Sequence, residues 1–117
     1  FKATSERLEP MHQIKRSALF KRHALHYVLD YRERAGRDIA EHFIDGLERS
    51  IAFICKHPAA CRVYIRVGGH EFRRWQIKDF PHSIYFRFDD QVIILEAIYA
   101  HRMDTESRLP SDVDQQD

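Results

Sequence analysis

The hydrophobic period of this chain changes from helical to alternating at His57-Pro58, and that change limits the folds open to it. Upstream, apolar residues recur at spacings of three and four. Phe20, Ala24, Tyr27, Val28 and Tyr31 fall on one helical face, with Lys21, Arg22, Asp30, Arg32 and Arg34 on the other. Ala35-Gly36 closes this helix, Gly36 being suited to a left-handed C-cap. A second helix, from Arg37 or Asp38, carries the stripe Ala40, Phe43, Ile44, Leu47, Ile51 and Ile54. Gly46 within that stripe costs about 1 kcal/mol relative to Ala, so another element is expected to pack closely there. Pro58 disfavours helical geometry at His57 and ends the helix. Two amphipathic helices joined by about three residues make an antiparallel hairpin.

Downstream of Pro58 the period is two. "CRVYIRV" places Cys61, Val63, Ile65 and Val67 on one face and Arg62, Tyr64 and Arg66 on the other. Gly68-Gly69 is a hairpin turn signal, and "HEFRRWQIKDF", "SIYFRF" and "QVIILEAIYA" read as further strands, the last two joined at Asp89-Asp90. The almost continuous apolar run Val92–Ala100 suits a central strand covered on both faces. "MHQIKRSA", 11–18, reads as a short first strand. The order β-α-α-β-β-β-β predicts an α+β fold, a small antiparallel β-sheet with an N-terminal α-helical hairpin packed on one face. One domain is expected over 11–109. Residues 1–10 read as an unstructured or added extension, and 110–117 as an acidic flexible tail, because no apolar periodicity follows Leu109. The hairpin covers one sheet face only. Val92, Ile94 and Ile98 are expected on the other, which therefore calls for a partner.

Composition adds exclusions. Net charge is +1, so only local patches could favour nucleic acid. No apolar run approaches the ~20 residues of a membrane span, and no signal-peptide pattern opens the chain, so a cytoplasmic protein is expected. Cys55 and Cys61 are too few for a disulfide framework and read as small apolar residues. Cys55, His57 and Cys61 are spaced loosely like metal ligands, but Cys55 and His57 face different ways, and His23 and His26 lack a third ligand, so no metal or cofactor is expected. Between Arg62 and Lys78, Arg62, Arg66, Arg73, Arg74 and Lys78 are opposed by Glu71 alone, a patch that would draw an acidic partner. Trp75 and Tyr85 suit a core ring as well as a binding anchor. Arg73 and Arg74 point to opposite faces, and His101 suits a sheet-capping hydrogen bond.

Taken in order, "ALHYVLDY", "AEHFIDGLERSIAFICKHP", "HPAACR", "RRWQIKDFPHSIYFRF" and "VIILEAIYAHRMD" resemble the ParE branch of the RelE/ParE toxins of bacterial toxin–antitoxin systems, from Met11 to Leu109. Lys21 and Ala24 depart from the family pattern, which often has a small and an acidic residue there. The resemblance implies a plasmid-stabilisation toxin that inhibits DNA gyrase by protein–protein binding. It would be neutralised by a cognate ParD-like antitoxin in a hetero-oligomer, with no sequence-specific nucleic-acid binding of its own. On that reading the partner-binding residues are Arg73, Arg74, Trp75, Tyr85, Arg87, His101 and Arg102, with Arg73 favoured over Arg74 by its match to the family position. The RelE-type alternative, cleavage of mRNA on the ribosome, needs a base, an acid and phosphorane-stabilising cations. Arg73, Tyr85, His101 and Arg102 could supply them if Arg73 and Tyr85 shared a face. Against it, "RMDTESRLP" after His101 has no aromatic residue and has acids that repel an RNA backbone. A third reading is an inactive member that only binds antitoxin.

Overall fold

The computed structural model describes residues 13–89, 91–102 and 105–114. The extension 1–10 and the last three residues of the expected tail lie outside them. Helix α1 (Ala18–Ala35) begins at Ser17, whose Oγ accepts the Phe20 N–H at 3.0 Å and donates to the Glu96 carbonyl at 2.8 Å. One hydroxyl thus caps the helix and ties it to the sheet. Gly36 alone separates α1 from α2 (Arg37–Lys56), a shorter joint than expected. Its φ of +97°, open to glycine without steric cost, lets its N–H reach the carbonyls of Tyr31 and Arg32 as the chain turns. A 3-10 turn over Pro58–Ala60 follows α2.

The sheet has five strands, β1 (Gln13–Arg16), β2 (Arg62–Val67), β3 (His70–Gln76), β4 (His82–Phe88) and β5 (Val92–Ala100). Their spatial order is β1-β5-β4-β3-β2, antiparallel throughout except that β1 runs parallel to β5. One face packs under the helices: Phe20, Phe43, Leu47 and Ile54 meet Ile84, Phe86, Ile93, Leu95 and Ile98. Each such side chain, fully buried, contributes about 1.5–3 kcal/mol. A Cβ on Gly46 would stand 3.1 Å from Cγ2 of Ile77, so the helix-interior glycine lets α2 pack closely on the residues that follow β3. Where β1 stops, α1 takes over the β5 edge. The Ser17 N–H donates to the Leu95 carbonyl at 3.0 Å, and His23 Nδ1 accepts the Ile98 N–H at 3.1 Å.

The second face departs from the simple alternation in two places. The β4–β5 register shifts between Tyr85 and Phe86, which leaves Glu96 as an extra residue on β5. After it the phase inverts. Ile98 joins the helix-side core, while Ala97 and Tyr99 move to the other face. The β2–β3 register shifts between Val63 and Ile65, and Tyr64 joins Ile65 and Val67 on the second face. A bulge puts two residues opposite one, so period-two reading fails beyond it.

The tail also differs from expectation. Residues Thr105–Asp114 form helix α3. Leu109 is fully buried, and with Val113 it packs on Tyr85, Ala97 and Tyr99, while the Tyr99 hydroxyl donates to Asp112 at 2.5 Å. The apolar second face is therefore covered in part by the chain itself. Leu109 and Val113 are a single i, i+4 pair with Pro110 between them, too short a stripe to register as periodic.

Candidate partner-binding surface

The β3–β4 register sorts the candidate residues. Arg73 lies opposite Phe86, and Arg74 opposite Tyr85. Directly opposed residues share a face, so Arg73 is on the helix side and Arg74 and Tyr85 are on the second. Arg73 donates to the Cys61 carbonyl at 2.6 Å and to that of Ala59 at 3.5 Å, with its guanidinium 5.1 Å from the Phe88 ring centre. It clamps the Pro58–Ala60 turn to the sheet. Beside it, burial pushes the Cys61 thiol up to about 11, partly offset by the Arg73 charge, so it stays protonated. Tyr85 is 1% exposed and lies 5.4 Å from the Tyr64 ring and 5.6 Å from that of Tyr99. It is core to the second face.

Trp75 stacks on Phe53 of α2, ring centres 4.1 Å apart and 15° from parallel. The pair walls a cleft of about 390 Å³ rimmed by His42, Arg49 and Lys78. On the second face Arg74 lies over the Tyr64 ring at 4.4 Å. It shares a cleft of about 690 Å³ with Arg62, Ser83 and His101, whose Nε2 is 2.8 Å from the Ser83 hydroxyl. The backbone N–H of His101 donates to the Pro81 carbonyl, so the expected capping bond is made by the main chain as well as the ring. Arg87 pairs with the buried Glu96 at 2.7 Å, and His70 Nδ1 stands 3.4 Å from its Nη1.

Arg102 is exposed beside His101 and opens on a third cleft of about 470 Å³, between the C-terminal half of α1 and the start of β4. Across it Arg34 is held to Asp30 by two hydrogen bonds of 3.0 and 2.7 Å, which keep the Asp30 carboxyl below its usual range. His82 lines the same cleft. It is 5% exposed, its ring 4.3 Å from that of Tyr27, and its Nδ1 has no hydrogen-bond partner among the described residues. Burial, helped by the charges of His101, Arg102 and Arg34, pushes its pKa down to about 4, leaving a neutral imidazole near pH 7.

The seven residues therefore spread over several places: Arg73 and Trp75 by α2, Arg74 and His101 in one cleft, Arg87 in an ion pair, Arg102 in another cleft, and Tyr85 inside. Arg73, Tyr85, His101 and Arg102 do not converge on one point.

Residues 14–105, from β1 to the first residue of α3, match the family model described as ParE toxin of type II toxin-antitoxin system, parDE. The chain belongs to the ParE toxin family. No curated protein matches it. Its fold is similar to a solved structure of the chromosomal ParDE TA system from P. aeruginosa, with a TM-score of 0.66 at 15% identity, covering 77% of this chain and 96% of that one. Among the described residues no helix is long and apolar enough to cross a membrane.

Three features of this ParE-family chain escape a period-based reading. Glu96 carried a signal, being the one charge within Val92–Ala100. Leu25 and Leu29, 60% and 50% exposed, stand as an i, i+4 pair outside the apolar stripe of α1. His82 had no signal, since its burial depends on Tyr27, Tyr31 and Phe43 arriving from both helices.

Proposed function

We propose that this chain is the toxin of a type II toxin–antitoxin pair, that it inhibits DNA gyrase by binding it, and that a cognate antitoxin neutralises it. Family membership supports the toxin role. The observation that favours binding over RNA cleavage is the separation of Arg73 from Tyr85 on opposite sheet faces. Phosphoryl transfer needs its base, acid and cations around one phosphate. Here Arg73 is occupied by main-chain carbonyls, and Tyr85 lies beneath other rings. Binding needs only rigid aromatic and arginine anchors at the surface, the residue types enriched in interface hot spots. Trp75, Arg74 and Arg102 meet that requirement.

The deciding experiment adds the purified chain to gyrase supercoiling and DNA-cleavage assays and, in parallel, to a translating extract with labelled mRNA. Trapped cleaved DNA with intact message is expected. Cut message with unaffected gyrase overturns the reading in favour of a ribosome-dependent endonuclease, and silence in both leaves a chain that only binds antitoxin.

A further inference from the structure

The cleft between α1 and the start of β4 combines features that the fold itself does not require. Two arginines, Arg34 and Arg102, and two histidines, His26 and His101, surround it, while the one carboxylate lining it among the described residues, Asp30, is already taken by Arg34. Among the described residues Arg102 forms no ion pair of its own. His82 is 5% exposed, and among the described residues its Nδ1 has no partner, although most buried polar groups have one. Tyr27 and Tyr31 supply flat walls. Next to the cleft on α1, His26 stands three residues before Leu29, and Leu25 four, so the two exposed leucines continue from its rim.

We propose that this cleft, with the Leu25–Leu29 strip, is the docking site for an acidic amphipathic peptide segment. A carboxylate of the peptide enters beside Arg102 and His82, and its apolar side chains lie along α1. The uncompensated cationic charge selects an anion. The adjoining exposed leucines favour a peptide over a nucleic acid, because a phosphate backbone offers nothing apolar to cover them. The identification of the segment's source as the antitoxin rests on the function proposed above; the site and its ligand chemistry do not.

The test uses the full chain and a synthetic helical peptide with leucines at i, i+4 and glutamates on the flanking positions. A twin carries glutamine for each glutamate, and a short DNA duplex is the third probe. Binding is measured by calorimetry, and the His82 and His101 ring resonances are followed by NMR. The glutamate peptide is expected to bind, to move the His82 resonance, and to lose about tenfold in affinity in the glutamine twin. Arg102→Glu is expected to cost a similar factor, and Lys56→Glu, a matched charge reversal at the far end of α2, to cost little. No binding, equal binding of the twins, indifference to Arg102→Glu, or the DNA duplex moving His82 in place of the peptide each overturns the proposal. A chain that binds the peptide here and leaves gyrase untouched refutes the gyrase reading alone. The reverse result refutes this site alone.

Discussion

The two faces of the sheet are built by different means. The helix-covered face is held by continuous stripes of Phe, Leu and Ile on α2 and on the inner strands, and its contacts need no polar partner. The second face is assembled from fragments: two bulges, a ten-residue helix with a proline inside, a tyrosine–aspartate bond and the Arg87–Glu96 pair. Redundant apolar packing makes the first face tolerant of small errors. The second depends on particular atoms.

That contrast predicts an unequal loss of stability. Phe43→Ala removes a ring that is 0% exposed and touches Tyr27, Tyr31 and Phe80, and is expected to cost about 3–5 kcal/mol in urea denaturation. A loss below 2 kcal/mol would place the core elsewhere.

Acid should act through the helix side next. His82 titrates in the fold near 4, below its ordinary 6.5, and burial lowers His23 also. A depressed pKa means that the unfolded chain binds the proton more readily. The stabilisation is therefore fully present above about pH 6.5 and is lost as pH falls towards 4, at no more than about 1.4 kcal/mol per pH unit for each group. The check is the denaturation midpoint across that window, in wild type and in His82→Phe. An unchanged slope in the variant assigns the effect to other groups.

On the second face, Leu109→Ala should cost about 2–3 kcal/mol, the lower part of the range for buried leucines, because α3 covers only part of the sheet there. Hydrogen exchange should show α3 opening before the helix-side core. A loss as large as that of Phe43→Ala would erase the contrast. Smallest of the four, Glu96→Gln should cost about 1–2 kcal/mol, discounted from buried-pair values because the Arg87 side chain is 32% exposed. Fading of the difference in high salt would assign it to screened charge instead of to the geometry of the bulge.

What the sequence made legible follows the same division. Phe43, Leu47 and Ile54 announce the helix-side core through their spacing, and Pro58 announces where the helices end. Tyr64 does not announce its bulge, because an extra residue in a strand leaves composition unchanged while inverting every later side chain, and Glu96 shows only as a charge within an apolar run. Leu109 and Val113 could not declare a helix from one turn. At the candidate surface, residue type was readable and location was not. Arg73 and Arg74 are adjacent in the chain, yet one grips a turn under the helices and the other lies over Tyr64. Whether His82 is buried is decided by residues more than 35 positions away, such as Phe43 and Tyr27.

The strand order leaves β1 and β2 at the margins of the sheet, each with one row of main-chain groups that no neighbouring strand among the described residues pairs. Such rows invite another chain to add itself and begin an aggregate. Here β1 is four residues long and carries Lys15 and Arg16, while β2 carries Arg62 and Arg66. Two molecules meeting margin to margin would bring like charges together. On β2 the Arg66 charge is already held by Glu71 at 2.7 Å, which leaves Arg62 to set like charge against like at such a contact.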